Sequence, residues 1–208
     1  MIPLHLPVSR FCEHMVAHNN LLEQQFAQWA FHPGMLFQSR QRWWGNGGYR
    51  HNPHEGIDLC LFNTRDGNTQ ALDTGTQIPA MFRGYVKTVI DDYLGKTIFI
   101  AHDMYDGTEN QLYTIYGHTE PVGRLERAAV LEEGDCVGFI SSTKDKQLHI
   151  IPHVHISVAW IPANFPPEQL NWKIINKSPD ITLLNPLDVL SCNYTIIREG
   201  TYTRVLRF

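Results

Sequence analysis

Residues 152–160 read PHVHISVAW, and the fold turns on how this run is understood. Its apolar and β-branched residues suit a pleated, partly buried strand. In a strand, residues two apart project from the same face with Cα atoms ~6.6–6.8 Å apart. His153 and His155 are therefore expected on one face. One imidazole there can bind a metal while its neighbour reaches a ligand of that metal. Taken alone, the same pattern also fits two histidines on the solvated face of a strand.

Other short apolar runs stand on the N-terminal side: Ile57–Phe62, Thr97–Ala101, Leu112–Tyr116 and Cys136–Ile140. Gly, Asp, Asn and Pro separate them, which is the texture of an antiparallel β protein. The stretch GNGGYRHNPHEG, Gly45–Gly56, is too rich in Gly, Asn and Pro for regular structure and reads as loop. Phe11, Met15, Leu22, Phe26 and Trp29 recur at helical spacing between Ser9 and Pro33-Gly34, predicting an amphipathic helix over Phe11–Ala30. Residues 161–187 hold five prolines and little periodicity, so a long surface connection is expected. Tyr194–Arg198 and Thr201–Phe208 flank Glu199-Gly200 and predict a C-terminal hairpin. The class is mainly β, with an N-terminal helix. No linker divides the chain; residues 1–44 read as a helical extension to a domain spanning 45–208.

At 208 residues the chain is long enough to bury one sizeable core. Apolar residues make up 43 % and charged residues 18 %, the balance of a globular chain. A net charge of −4 gives no reason to expect a nucleic-acid partner. No run approaches the ~20 apolar residues of a membrane span. The opening MIPLHLPVSRFCEH lacks a basic n-region and a long apolar run, so no signal peptide is visible; the chain is not exported by that route or its leader has been removed. Cys12, Cys60, Cys136 and Cys192 stand alone, without a C-x-x-C pair. Their spacing does not decide their redox state.

His54-Glu55-Gly56-Ile57-Asp58 is the second element with metal-ligand chemistry. In a straight strand, positions four apart are separated by ~13 Å. Sharing one ion therefore requires a bend, and Gly56 is where it is expected. The bland reading gives Asp58 to a turn cap or an arginine partner. Gly117-His118 ends the run LYTIY, a place where histidine is commonly a loop residue. Together the residues say more: His and carboxylate ligands with a vacant position are what catalytic zinc uses, whereas structural zinc is usually closed by four ligands rich in cysteine. His51, His102 and His149 are not expected to ligate. Tyr113 and Tyr116 are expected to pack in the sheet, and Trp43-Trp44 to serve as core or cleft wall.

In this order the residues resemble the lysostaphin/LytM-type zinc metallopeptidases. The resemblance runs from about Pro53 to Leu190 through PHEGIDL, IPAMFRGYVKTVI, GKTIFIAHD, LYTIYGHTEP, GDCVGFI, HVHISV and LNPLD. It implies antiparallel sheets forming an open groove and one Zn2+ held by His54, Asp58 and His155. His118 and His153 are then the two catalytic histidines that do not bind the metal. It further implies hydrolysis of peptidoglycan peptides, in stem or cross-bridge, and a cell-envelope or extracellular setting. A non-catalytic wall-binding or partner-binding module on the same fold, and a zinc hydrolase of another small amide, are the competing readings. The chain departs from the family in SSTKDKQLHIIPHVH, residues 141–155, where members are usually glycine-rich before the H-x-H. The helix and hairpin lie outside the resemblance. Part of residues 35–50 is expected to lie across or beside the metal.

Overall fold

The computed structural model describes residues 6–123, 125–144 and 150–197. It is mainly β. Along the chain, helix α1 (Phe11–His18) leads to β1 (Phe26–Phe31), and the long loop then opens into β2 (Ile57–Leu59), β3 (Leu61–Thr64), β4 (Thr69–Ala71) and β5 (Gln77–Pro79). The longest strands follow: β6 (Gly84–Asp92), β7 (Gly95–Tyr105) and β8 (Asn110–Pro121). After β9 (Val130–Leu131), β10 (Cys136–Ile140) and β11 (Val154–Pro162) come α2 (Trp172–Lys177), β12 (Thr182–Leu184) and β13 (Tyr194–Ile196).

Two sheets result. The smaller has the order β13-β1-β3-β4, and the larger has nine strands around the path β12-β11-β8-β7-β6-β9. Strand β8 organises the larger sheet. It pairs with β7 on one edge; on the other it pairs with β11 up to Gly117 and with β10 from Thr119 onward. His118 stands where the partner changes. Strand β11 is shared in the same way, facing β2 through Val154–Ile156 and β12 through Val158–Trp160.

Alternation along these strands builds two apolar layers. Ile98 and Ile100, Leu112 and Tyr116, and Ile156 and Val158 face the main core, where α1 and β1 contribute Phe11, Met15 and Trp29. Phe99, Tyr113, Ile115, Ala159 and Ile161 face the other side, under Leu170, Ile175 and Ile181. Tyr113 and Tyr116 are both fully buried in the sheet.

Two expectations need correction. The predicted helix over Phe11–Ala30 ends at His18, and Phe26–Phe31 is strand. Asn20 and Gln25 take left-handed φ values of 49° and 60°, which end the helix and turn the chain. The Asn19 amide donates to Met15 O and Gln77 O, tying the turn to β5. Phe26 and Trp29, spaced to suit a helix, instead pack edge to face in β1 against Phe62 of β3. Residues 161–187 are more than a surface connection: Leu170, Ile175 and Ile181 roof the second apolar layer, and β12 extends the sheet. Tyr194–Ile196 pairs in parallel with β1, and the other arm of the predicted hairpin, residues 201–208, lies outside the described residues. A Cys12–Cys192 disulfide, which the spacing does not reveal, joins α1 to the segment before β13.

Two stability predictions come from this packing. A Cβ on Gly56 would overlap the Ile156 carbonyl of β11, whereas one on Gly107 meets open space. Gly56→Ala should therefore cost at least about 1–3 kcal/mol through overpacking. Gly107→Ala should stay within about 0.5 kcal/mol. Equal melting temperatures for the two variants would contradict the close packing of β2 on β11. His102 is fully buried between the Arg83 carbonyl and Thr114 Oγ1, and burial pushes its pKa down to about 4. An unfolded histidine titrates near 6.5. The unfolded chain then binds the extra proton first as pH falls, so the stability from this site is full above about 6.5 and about 3 kcal/mol of it is lost by pH 4. Melting curves of metal-free protein should fall with pH over this window. The His102→Gln variant should show a shallower slope.

Candidate metal centre

The pairing of β2 with β11 sets Asp58 directly opposite His155. Residues opposite one another in an antiparallel pair project from the same face. The chain bends at Glu55-Gly56, just before β2, and this returns His54 to the same spot. Without the bend His54 and Asp58 would stand ~13 Å apart. Instead His54 Nε2 lies 3.1 Å from Asp58 Oδ1 and 3.1 Å from His155 Nδ1, and His155 Nδ1 lies 2.9 Å from Asp58 Oδ1. All three residues are buried.

What lies behind these atoms fixes their chemical state. His54 Nδ1 faces the Leu36 carbonyl at 3.1 Å. A carbonyl only accepts, so Nδ1 carries the proton and Nε2 presents a lone pair. Burial lowers the pKa of His54 against the pull of Asp58, which favours the neutral ring. Burial of Asp58 opposes its charge, but the pull of His54 and the hydrogen bond from His155 outweigh it and hold the carboxyl well below the usual range. Asp58 Oδ2 accepts from Trp43 Nε1 at 2.6 Å and from Arg50 Nη2 at 3.1 Å. His155 Nε2 contacts Ser157 Oγ at 2.9 Å.

The three inner atoms therefore include more lone pairs than protons. Even with a proton on His155 Nδ1 given to Asp58, the bare Nε2 of His54 faces a carboxylate oxygen with no hydrogen between them. A cation at the centre removes that repulsion. Tetrahedral bonds of about 2.0–2.1 Å, as zinc makes to His and Asp, place ligand atoms ~3.3–3.4 Å apart, close to the spacing found here. His54, Asp58 and His155 are thus a group able to hold a metal ion.

His153 and His118 stand beside this group. Their rings are 4.8 Å apart, centre to centre, and the His118 ring lies 6.2 Å from that of His155. His153 precedes β11, with Nδ1 2.9 Å from the Ile151 carbonyl, so Nδ1 is the protonated nitrogen and Nε2 is free of a proton, 3.9 Å from Asp58 Oδ1. Burial pushes its pKa down to about 3, which keeps the ring neutral at ordinary pH. His118 has a left-handed φ of 62°, uncommon for a residue with a side chain. Asp92, at the corner between β6 and β7, accepts the His118 backbone N–H at 2.8 Å and faces its ring Nδ1 at 3.3 Å. Burial resists the charge on Asp92, yet the His118 ring and backbone bonds and the Thr97 hydroxyl hold its pKa below the usual range. Gly117, opposite His155, leaves space for Trp172, whose ring stands edge-on to His155 at 4.9 Å.

These groups open into a cleft of about 420 Å³ walled by Trp44, Tyr93, Leu94, Ile150, Trp172 and Asn176. The five residues singled out in the sequence, His54, Asp58, His118, His153 and His155, all line it. His51 is exposed on its rim and outside the three-residue group; His102 is buried elsewhere, and His149 lies outside the described residues. Sequence reasoning does not single out Asp92, Arg50 or Ser157. Asp92 sits in the turn signal DDYLG, which gives its hairpin but not its bond to His118. Trp43, expected as core or wall, also bonds Asp58 through its indole N–H.

Comparison with known proteins adds a family. Peptidase family M23 matches residues 53–167, which include all five positions. No curated protein matches. Among solved structures, the chain is similar to the catalytic domain, in a point-mutant form, of the prophage-encoded M23 protein EnpA from Enterococcus faecalis, at 23 % identity and a TM-score of 0.39, over 67 % of this chain and 80 % of that one. It is also similar to lysostaphin, at 13 % identity and a TM-score of 0.43, over 82 % of this chain and 62 % of that one. Since residues 53–167 make up more than half of the 208, the chain belongs to peptidase family M23.

Proposed function

We propose that the protein is a zinc-dependent endopeptidase that hydrolyses peptide bonds of bacterial peptidoglycan, in stem or cross-bridge. The observation that carries this reading is the convergence of His54 Nε2, Asp58 Oδ1 and His155 Nδ1 within 3.1 Å of one another at the floor of a cleft. Membership of the M23 peptidases and the wall peptides implied by the resemblance support the choice of substrate. One zinc ion bound there would polarise the scissile carbonyl and bring the pKa of a water close to 7.

The chain's own groups would move the protons. His153 presents a bare Nε2, the atom that would accept a proton from the attacking water. His118 is partly open to the cleft, and Asp92 fixes Nδ1 as its protonated nitrogen. In this reading a second proton on Nε2 lets it donate to the oxyanion and pass that proton to the leaving amine, while the proton His153 takes from the water keeps the balance. Residues 45–208 form the peptidase domain, and residues 1–44 an extension whose side chains enter the same core. A cell-envelope or extracellular setting fits the Cys12–Cys192 disulfide, since such bonds persist in oxidising compartments. No helix among the described residues is long and apolar enough to cross a membrane.

The direct test is incubation of zinc-loaded protein with isolated peptidoglycan and defined cross-bridge peptides, followed by mass spectrometry. A new amine and carboxylate at one peptide bond is the expected result. Intact substrate that sediments with the protein would instead mark a binding module. Alanine variants divide the site further. Those of His54, Asp58 and His155 should lose zinc and activity together. His118→Ala and His153→Ala should keep zinc while turnover drops about 10²–10⁴-fold. If His153→Ala loses zinc and His155→Ala retains it, the two roles are exchanged.

A further inference from the structure

The family match begins at residue 53, yet the hydrogen bonds behind the metal group reach upstream of it. Leu36 O receives His54 Nδ1; Trp43 Nε1 and Arg50 Nη2 together occupy Asp58 Oδ2. Only Oδ1 of Asp58 is left to face His54 and His155. Trp43 is nearly buried, and its ring also stands edge-on to His153 at 5.1 Å. The Arg50 side chain is 10 % exposed and lies over the Trp44 ring. Its second terminal nitrogen, Nη1, is buried with no hydrogen-bond partner among the described residues, an arrangement that costs free energy. A cation kept there at such a cost, against one particular carboxylate oxygen, calls for a role at that carboxylate.

We infer that Trp43 and Arg50 are positioning residues that hold Asp58 to one ligating oxygen, and so set metal affinity and keep a coordination position open for the reaction. The inference rests on the metal reading above. The physical reason is that a carboxylate with both oxygens free can swing to grip an ion with two, filling the site that water and substrate need. Two donors on Oδ2 prevent the swing and orient Oδ1. Hydrogen-bond partners of metal ligands are typically worth 10–100-fold in metal affinity. In this arrangement the loop before residue 53 completes the metal site.

The test measures metal binding by the full chain. Trp43→Phe keeps an aromatic ring and removes the N–H; Arg50→Met keeps an apolar stem and removes the charge. Each should weaken zinc binding about 10–100-fold in a chelator competition, while the circular dichroism of the metal-free protein stays that of the wild type. Loaded with Co2+, each should show weaker visible absorption than the wild type, because a two-oxygen Asp58 raises the coordination number. A loss of packing alone would not produce that spectral change. Should Trp43→Phe unfold, Arg50→Met decides, since Arg50 lies at the cleft. Folded variants with zinc affinity within about twofold of wild type and an unchanged Co2+ spectrum would overturn the inference alone, being far short of the effect that hydrogen-bond partners of ligands exert. A wild-type protein that binds no zinc would overturn the metal reading with it.

Discussion

Three residue pairs hold β2 against β11: Val154 with Leu59, His155 with Asp58, and Ile156 with Ile57. A slip of one residue in this short ladder would send Asp58 to the opposite face, because side chains alternate with a period of two. The register is fixed on its apolar side, where Ile57, Leu59, Val154 and Ile156 all enter the main core. Gly56 lets β2 approach the Ile156 carbonyl closely, and the same residue lies in the bend that returns His54. The polar cluster is therefore positioned by hydrophobic packing on the reverse of the strands that carry it.

A second constraint acts on β8. A strand that exchanges one neighbour for another along a single edge must break its pairing somewhere, and here the break falls on Gly117-His118. His118 takes a left-handed conformation there, a cost of order 1–3 kcal/mol for a residue with a Cβ. Its N–H, freed from the ladder, bonds Asp92, and its carbonyl accepts from Ser141. The irregularity turns the imidazole toward His153 and His155 and away from the sheet pattern.

Much of this is legible in the sequence because it depends on local rules. Alternation marks the strands from Thr97 to Trp160, and the spacing of His54 and Asp58 calls for a bend at a glycine, where the chain does bend. The residues that cannot be read this way are those whose partners are set by tertiary contacts. Trp43, Arg50 and Asp92 look like ordinary core, loop and turn residues until β2, β11 and β8 bring Asp58 and His118 to them. The division between α1 and β1 is hidden for another reason: Phe26 and Trp29 fit the period of a helix, and only the turn through Asn20 and Gln25 separates the two elements. In residues 161–187, prolines mask a roof whose apolar residues are spaced by turns instead of by a regular period.

The parallel pairing of β1 with β13 and the Cys12–Cys192 bond bring together distant segments, the cysteines being 180 positions apart. A polypeptide that emerges N-terminus first presents β1 long before β13 exists. That edge of the smaller sheet stays bare until Tyr194–Ile196 has been made, and contacts this distant in sequence are slow to form. Closure of the small sheet is thus a late event in assembly, sealed covalently once an oxidant is at hand. The smaller sheet therefore cannot close until Tyr194–Ile196 exists, and the Cys12–Cys192 bond forms only where an oxidant is present.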